Sequence, residues 1–141
     1  MSGSSLDGLD IAYCEFEYED SPISFEWKFL KGDFVPFNDK WKYILSSTPN
    51  LKGAELYTAD INLGRFIGDE IRAFCLKNNV KPNLIASHGH TVFHFPEKGV
   101  TCQIGDGASI AAKTGVPVAN NFRVMDMAFG GQGAPLAPLA D

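Results

Sequence analysis

The chain has 141 residues, 45% of them hydrophobic and 12% aromatic, and a formal net charge of -5. That is the length of one domain, able to bury about two thirds of the surface its unfolded form exposes. An acidic balance without any Lys- or Arg-rich tract speaks against nucleic acid or an anionic membrane as partner.

No apolar run is long enough for a membrane span and no charged-then-apolar leader opens the chain, so the expected setting is the cytoplasm. Cys14, Cys75 and Cys102 are odd in number and lack C-x-x-C spacing, which predicts reduced, partly buried thiols rather than a disulfide framework or a structural zinc site.

The chain opens on MSGSSLDGLD, small residues and hydroxyls with one Asp-Gly pair. LDIAYCEFEY and ISFEWKFL follow, the second alternating Ile23, Phe25, Trp27 and Phe29 against Ser24, Glu26 and Lys28. Period two predicts strands, and the turn formers of EDSP between them predict an antiparallel hairpin. NDKWKYILSS reads as a short helix capped by Asn38 or Asp39. Beyond it, Leu56, Ala59, Leu63, Phe66, Ile67, Ile71, Phe74 and Cys75 recur at three-and-four spacing, which predicts one long amphipathic helix ending near Asn78-Asn79. Gly64 and Gly68 inside it each cost about 1 kcal/mol relative to Ala, so they imply close packing against another element.

NLIASHGHTVFHF reads as strand, glycine turn and strand, and VTCQIGD as a further strand. GASIAAKTG is a short helix closed by Gly115, VPVANNF one more buried strand, and GGQGAPLAPLAD a loop running to Asp141. The predicted class is α/β, with antiparallel hairpins first, a mixed sheet, and helices packed on it.

Four stretches carry groups suited to chemistry. In SGSSLDG, Gly3 and Gly8 can take positive φ and Ser4 and Ser5 add donors, making an anion-binding concavity; Asp7 suits a Mg-nucleotide. The competing reading is a polar hairpin turn on Asp7-Gly8. SHGHTVFH holds His88, His90 and His94, the chain's three histidines; Gly89 interrupts any single ligating face, so zinc is the weaker reading. His88, at the C-terminal end of a strand, is better placed to hydrogen-bond a polar ligand, or simply to cap the turn. NFRVMD supplies Arg123 and Asp126, either as a clamp and a hydroxyl acceptor or as a surface ion pair. GGQGAPL adds Gln132 on a glycine loop.

Taken in order, MSGSSLDGLD, ASHGHTVFH, TCQIGD, TGVPVANNFRVMD and GGQGAPLAP resemble the N-terminal half of the anhydro-N-acetylmuramic acid kinases, from the first residue to about Pro138. The resemblance implies a ribonuclease-H-like domain of the sugar kinase/Hsp70/actin superfamily, in which two domains close over ATP and substrate. It implies that Gly3, Ser4, Ser5, Leu6, Asp7, Gly8, Leu9 and Asp10 contact the nucleotide, with Asp7 near Mg2+ through water. It makes His88, Gly89, Arg123, Asp126 and Gln132 candidates for binding the sugar. Such kinases hydrolyse the 1,6-anhydro bond and phosphorylate the 6-oxygen, giving N-acetylmuramic acid 6-phosphate in the recycling of bacterial cell wall, and a homodimer is a common expectation for them.

The chain departs from the family pattern at Ser4 for Thr, His90 for Gln, Asn121 for Asp, and Val124-Met125 for two arginines. The last change puts another 1,6-anhydro-sugar among the possible substrates. The family's length implies a partial chain, one domain that lacks its first strand, with the catalytic, water-activating base and the partner domain expected beyond Asp141. Such a domain is expected to be inactive by itself. A stand-alone, non-catalytic ligand-binding domain is the rival. Without its first strand, the loop around Ser4, Ser5 and Asp7 is expected to be mobile or displaced.

Overall fold

The computed structural model describes residues 6–20 and 22–134. The alternating N-terminal stretch forms a hairpin in which β1 (Gly8–Asp20) runs antiparallel to β2 (Ile23–Pro36), with a register irregularity between Tyr13 and Cys14. Its foot is held by the core, where Leu9 is buried and Ile11 and Val35 pack against the buried cluster. Beyond the foot most of its side chains are exposed.

Helix α1 (Asp39–Ser47) starts at Asn38, whose side-chain oxygen accepts from the Trp41 amide at 3.0 Å, one of the two caps expected. Helix α2 (Gly53–Asn78) ends at Asn79 in the left-handed region. Its buried residues include Ala59, Leu63, Ile67 and Phe74, the stripe that the spacing predicts. Then come β3 (Ile85–Ala86), β4 (His90–Phe95), β5 (Val100–Ile104), α3 (Gly107–Thr114), β6 (Val118–Ala119) and α4 (Phe122–Ala128). The three cysteines are free and half-buried, as expected. Among the described residues no helix is long and apolar enough to cross a membrane.

The molecule is α/β with an antiparallel hairpin first, but five details differ from expectation. Among the described residues the strands are paired two by two, β1 with β2 and β4 with β5 antiparallel and β3 with β6 parallel, and β3 and β6, at two residues each, offer few bonds to any further neighbour. β6 is half-buried rather than buried. Of the expected strand VPVANNF only Val118 and Ala119 are strand, and Phe122 opens helix α4. At the N-terminal loop Gly8 is extended, and Leu6 takes the positive φ of 57° instead. A side chain at Gly8 would collide with the Val35 carbonyl oxygen and come within 2.6 Å of the Phe34 ring, so close approach explains this glycine. Asp7 is not displaced either: its carbonyl accepts from the Phe37 amide at 2.9 Å, and Phe37 belongs to the core. Gly3, Ser4 and Ser5 lie outside the described residues, and so does Asp141, beyond which the catalytic base is expected.

Gly64 and Gly68 pack against α3 and the turn before it, as their presence mid-helix implies. A Cβ at Gly64 would stand 2.5 Å from the Asp106 carbonyl oxygen and 2.9 Å from its amide nitrogen; one at Gly68 would stand 2.6 Å from Lys113 Cβ. Gly64→Ala is therefore expected to destabilise by about 1–3 kcal/mol despite alanine's better helix propensity, lowering the thermal midpoint by about 3–9 °C. Gly53→Ala, with nothing within 4 Å of its Cβ, should leave the midpoint unchanged or raise it in the same calorimetric measurement.

Candidate functional site

His88 stands between β3 and β4, and the next residue, Gly89, turns the chain with φ 71°, against the Ile104 carbonyl where no side chain fits. The ring is held at both nitrogens. Nε2 accepts from Arg123 Nε at 2.9 Å and Nδ1 lies 3.2 Å from the Gly89 carbonyl oxygen. Arginine has only donors, so Nε2 is the unprotonated nitrogen and Nδ1 carries the proton.

Arg123 sits on α4, which follows Asn121 at φ 60°, a conformation Asn tolerates better than most residues. Its Nη1 donates to the Gly133 carbonyl at 3.2 Å. One turn along α4, Asp126 Oδ2 accepts from the Gly133 amide at 2.7 Å, and the Asp126 carbonyl takes the Gly131 amide at 2.9 Å. Arg123 and Asp126 thus form no ion pair with each other; both hold the glycine loop, on which Gln132 is exposed. His88, Arg123, Asp126 and Gly133 make one hydrogen-bonded chain drawn from three of the stretches singled out in the sequence.

Beside His88 and Gly89 opens a polar cavity of about 90 Å³ whose lining includes Asp60, Gln103, Asp106 and Asn121. None of these four stood among the expected site residues. Asp60 Oδ1 accepts from the Gly105 amide at 2.7 Å and its carbonyl from the Asp106 amide at 3.2 Å. Burial pushes the Asp60 carboxyl up; the Gly105 N-H opposes this, and the Asp106 charge adds to it. Asp106 caps α3, with Oδ2 accepting from the Ser109 amide at 2.7 Å. Hydrogen bonding from Ser109 holds its carboxyl below the ordinary range. Gln103 Oε1 is buried without a partner among the described residues. The D-G-A-S cap was a readable signal for Asp106; Asp60 gave none, because its partner is 45 residues away.

The other two histidines lie elsewhere. His90 is buried at the start of β4, and burial, then the nearby His88, pushes its pKa down. His94 Nδ1 meets Thr101 Oγ1 at 3.1 Å. No group of three His, Cys, Asp or Glu among the described residues could hold a metal. Asp7 and Asp10 are exposed at the foot of β1, Leu6 and Leu9 pack inward there, and none of residues 6–10 lines the cavity.

The family model of anhydro-N-acetylmuramic acid kinase matches residues 1–141. Three curated relatives carry that name. The protein of Paramagnetospirillum magneticum is 38% identical over 99% of this chain and 38% of its own length. That of Pasteurella multocida is 38% identical over 98% of this chain and 37% of its own. That of Sulfurovum sp. is 36% identical over 98% and 39%. The chain therefore spans less than two fifths of the length of these relatives.

Two outcomes follow from this geometry. Asp126→Ala should speed amide exchange at Gly133 by about tenfold, the loss of one charge-assisted hydrogen bond. Exchange at Gly131, bonded to the Asp126 backbone, should hardly change in the same NMR experiment. His90, with its folded pKa below the ordinary 6.5, binds its proton more readily when unfolded. Its contribution to stability is therefore present above pH 6.5 and lost as pH falls below that value. The drop in thermal midpoint between pH 7.5 and 5.5 should be smaller for His90→Gln than for the native chain.

Proposed function

The chain belongs to the anhydro-N-acetylmuramic acid kinase family, and on that premise we propose that it forms the ribonuclease-H-like first domain of a two-domain, ATP-dependent kinase of 1,6-anhydro-N-acetylmuramic acid. The observation that carries the reading is the chain His88, Arg123, Gly133 and Asp126, which gathers the HGHT-like turn and the GGQG loop at one place.

In this reading His88 positions the guanidinium, since both its ring nitrogens already have protein partners. Among the described residues Arg123 uses two of its five donors, on His88 and Gly133. The remaining ones are suited to the sugar's oxygens or its lactyl carboxylate. Asp126 Oδ1 would accept from a sugar hydroxyl, while Gly89 and Gln132 complete the wall. Water adds to the anomeric carbon as the bond from C1 to O6 breaks; the freed O6 then takes the γ-phosphoryl group of ATP. The base for that water would come from chain beyond Asp141, in the partner domain.

The loop Gly3 to Asp10 would meet the nucleotide phosphates. A magnesium ion shared with phosphates and water asks little more of a protein than one carboxylate, and exposed Asp7 fits that requirement. When bound, the ion neutralises phosphate charge. The setting would be the cytoplasm, with a small anhydro-sugar and ATP as ligands and no nucleic acid or membrane. Val124 and Met125 are exposed on α4 and bring no second cation beside Arg123, which favours an anhydro-sugar without the lactyl carboxylate as a second reading.

Given ATP, Mg2+ and 1,6-anhydro-N-acetylmuramic acid, the complete open reading frame should yield N-acetylmuramic acid 6-phosphate by phosphorus NMR. Arg123→Ala should lower kcat/KM by about 100-fold. Faster turnover of 1,6-anhydro-N-acetylglucosamine would favour the second reading. No phosphorylation of either sugar would overturn the kinase assignment and leave the non-catalytic binding domain.

A further inference from the structure

The polar cavity beside Gly89 holds more hydrogen-bonding capacity than the fold consumes. Asp60 spends Oδ1 on the Gly105 amide and Asp106 spends Oδ2 on the Ser109 amide, and a carboxylate has lone pairs for further donors. Gln103 turns its Nε2 to Thr101 Oγ1 at 2.7 Å, so what it brings to this corner is a carbonyl oxygen and not a donor. Asn120 supplies the opposite polarity. A Cβ on Gly107 would stand 2.6 Å from Asn120 Nδ2, so glycine at that position is what leaves room for the amide. Ile104 and Gly89 form the apolar part of the lining.

Acceptors in excess, one amide donor and a small apolar wall are the complement of an amide group. Phosphate and carboxylate groups are repelled here by Asp60 and Asp106. In 1,6-anhydro-N-acetylmuramic acid O1 and O6 are joined in the bridge and O3 carries the lactyl ether. The remaining donors are the 4-hydroxyl and the acetamido N-H. Asp126 serves the hydroxyl in the reading above, which leaves the acetamido group for the cavity. That group is common to both sugars considered above.

We propose that this cavity is the subsite for the sugar's acetamido group and determines specificity for an N-acylated sugar, an inference that rests on the kinase reading. Asp60 and Asp106 accept from the N-H, Asn120 donates to the carbonyl, and the methyl group lies against Ile104. The cavity's volume of about 90 Å³ suits a small acyl group. Discrimination comes from the carboxylates. An ester of the same shape has no N-H, so it loses the hydrogen bond and sets an ester oxygen against two carboxylates.

Titration calorimetry on the protein of the complete open reading frame, without ATP, tests this. The two probes are 1,6-anhydro-N-acetylmuramic acid and its isostere with a 2-O-acetyl ester in place of the acetamido group. The ester should bind about 30-fold more weakly, the loss of one hydrogen bond to a charged group. Asp106→Asn keeps a capping oxygen for α3. It should weaken the amide sugar about tenfold and the ester about twofold at most, a coupling that a merely structural role does not produce. Asp60→Asn takes its place if circular dichroism shows the first variant unfolded. An ester bound as tightly as the amide overturns the proposal and leaves the kinase reading standing, as do folded variants that weaken both sugars equally. Discrimination between the sugars without any phosphorylation upholds the proposal and overturns the kinase reading. Binding of neither sugar overturns both.

Discussion

The close approach of α2 to the turn between β5 and α3 is the constraint on which the remaining geometry hangs. Gly64 leaves room for the Asp106 backbone, and one turn earlier Asp60 takes the Gly105 amide on its side chain and the Asp106 amide on its carbonyl. That turn then fixes its neighbour: a Cβ on Gly105 would stand 3.3 Å from Gly89 Cα, and Gly89 itself rests on Ile104. With Gly89 fixed, His88 is fixed, and through His88 the Arg123 guanidinium and the glycine loop it holds. A helix contact without ligand chemistry of its own thus sets where the polar residues meet.

Burial shapes the electrostatics of the site and of His90 outside it. Asp60 and His90 both have their charged forms disfavoured, one by a raised and the other by a lowered pKa. Asp106 is held ionised by Ser109, and Arg123 is the permanent cation. The two shifts act oppositely on stability. The Asp60 contribution favours the fold at acid pH and fades as pH rises through its raised pKa, while that of His90 fades as pH falls below 6.5.

Much of the fold was legible because it rests on local periodicity. The three-and-four stripe of α2 coincides with its buried face, and the alternation from Ile23 to Phe29 runs through an observed strand. Helix α4 was not legible. It is seven residues long, lacks a side-chain cap, and puts Phe122 and Val124 near its start, residues with weak helix preference. The expected single mixed sheet likewise rested on order of elements, which says nothing of how many bonds a two-residue strand can make. At the site, His88, Arg123, Asp126 and the glycine loop were each readable as candidates, but their union was not, since hydrogen bonds across 35 and 10 residues leave no spacing signal. Asp60 was invisible for the same reason: on a helix it reads as a solvated polar residue.

The size of the cavity decides what such a site can recognise. At about 90 Å³ it is well below the roughly 300 Å³ or more of a typical small-molecule pocket. It can therefore enclose one edge of a ring-sized ligand and not the whole ring. Recognition by a wall of this size rests on directional contacts with its polar groups, and with the Arg123 guanidinium held beside it by His88, more than on shape. Rigidity matters more under that condition. A ligand enclosed on every side tolerates a loose wall, whereas one held by a few hydrogen bonds requires each donor fixed beforehand. His88 and Gly133 supply that fixation, clamping the guanidinium at Nε and Nη1.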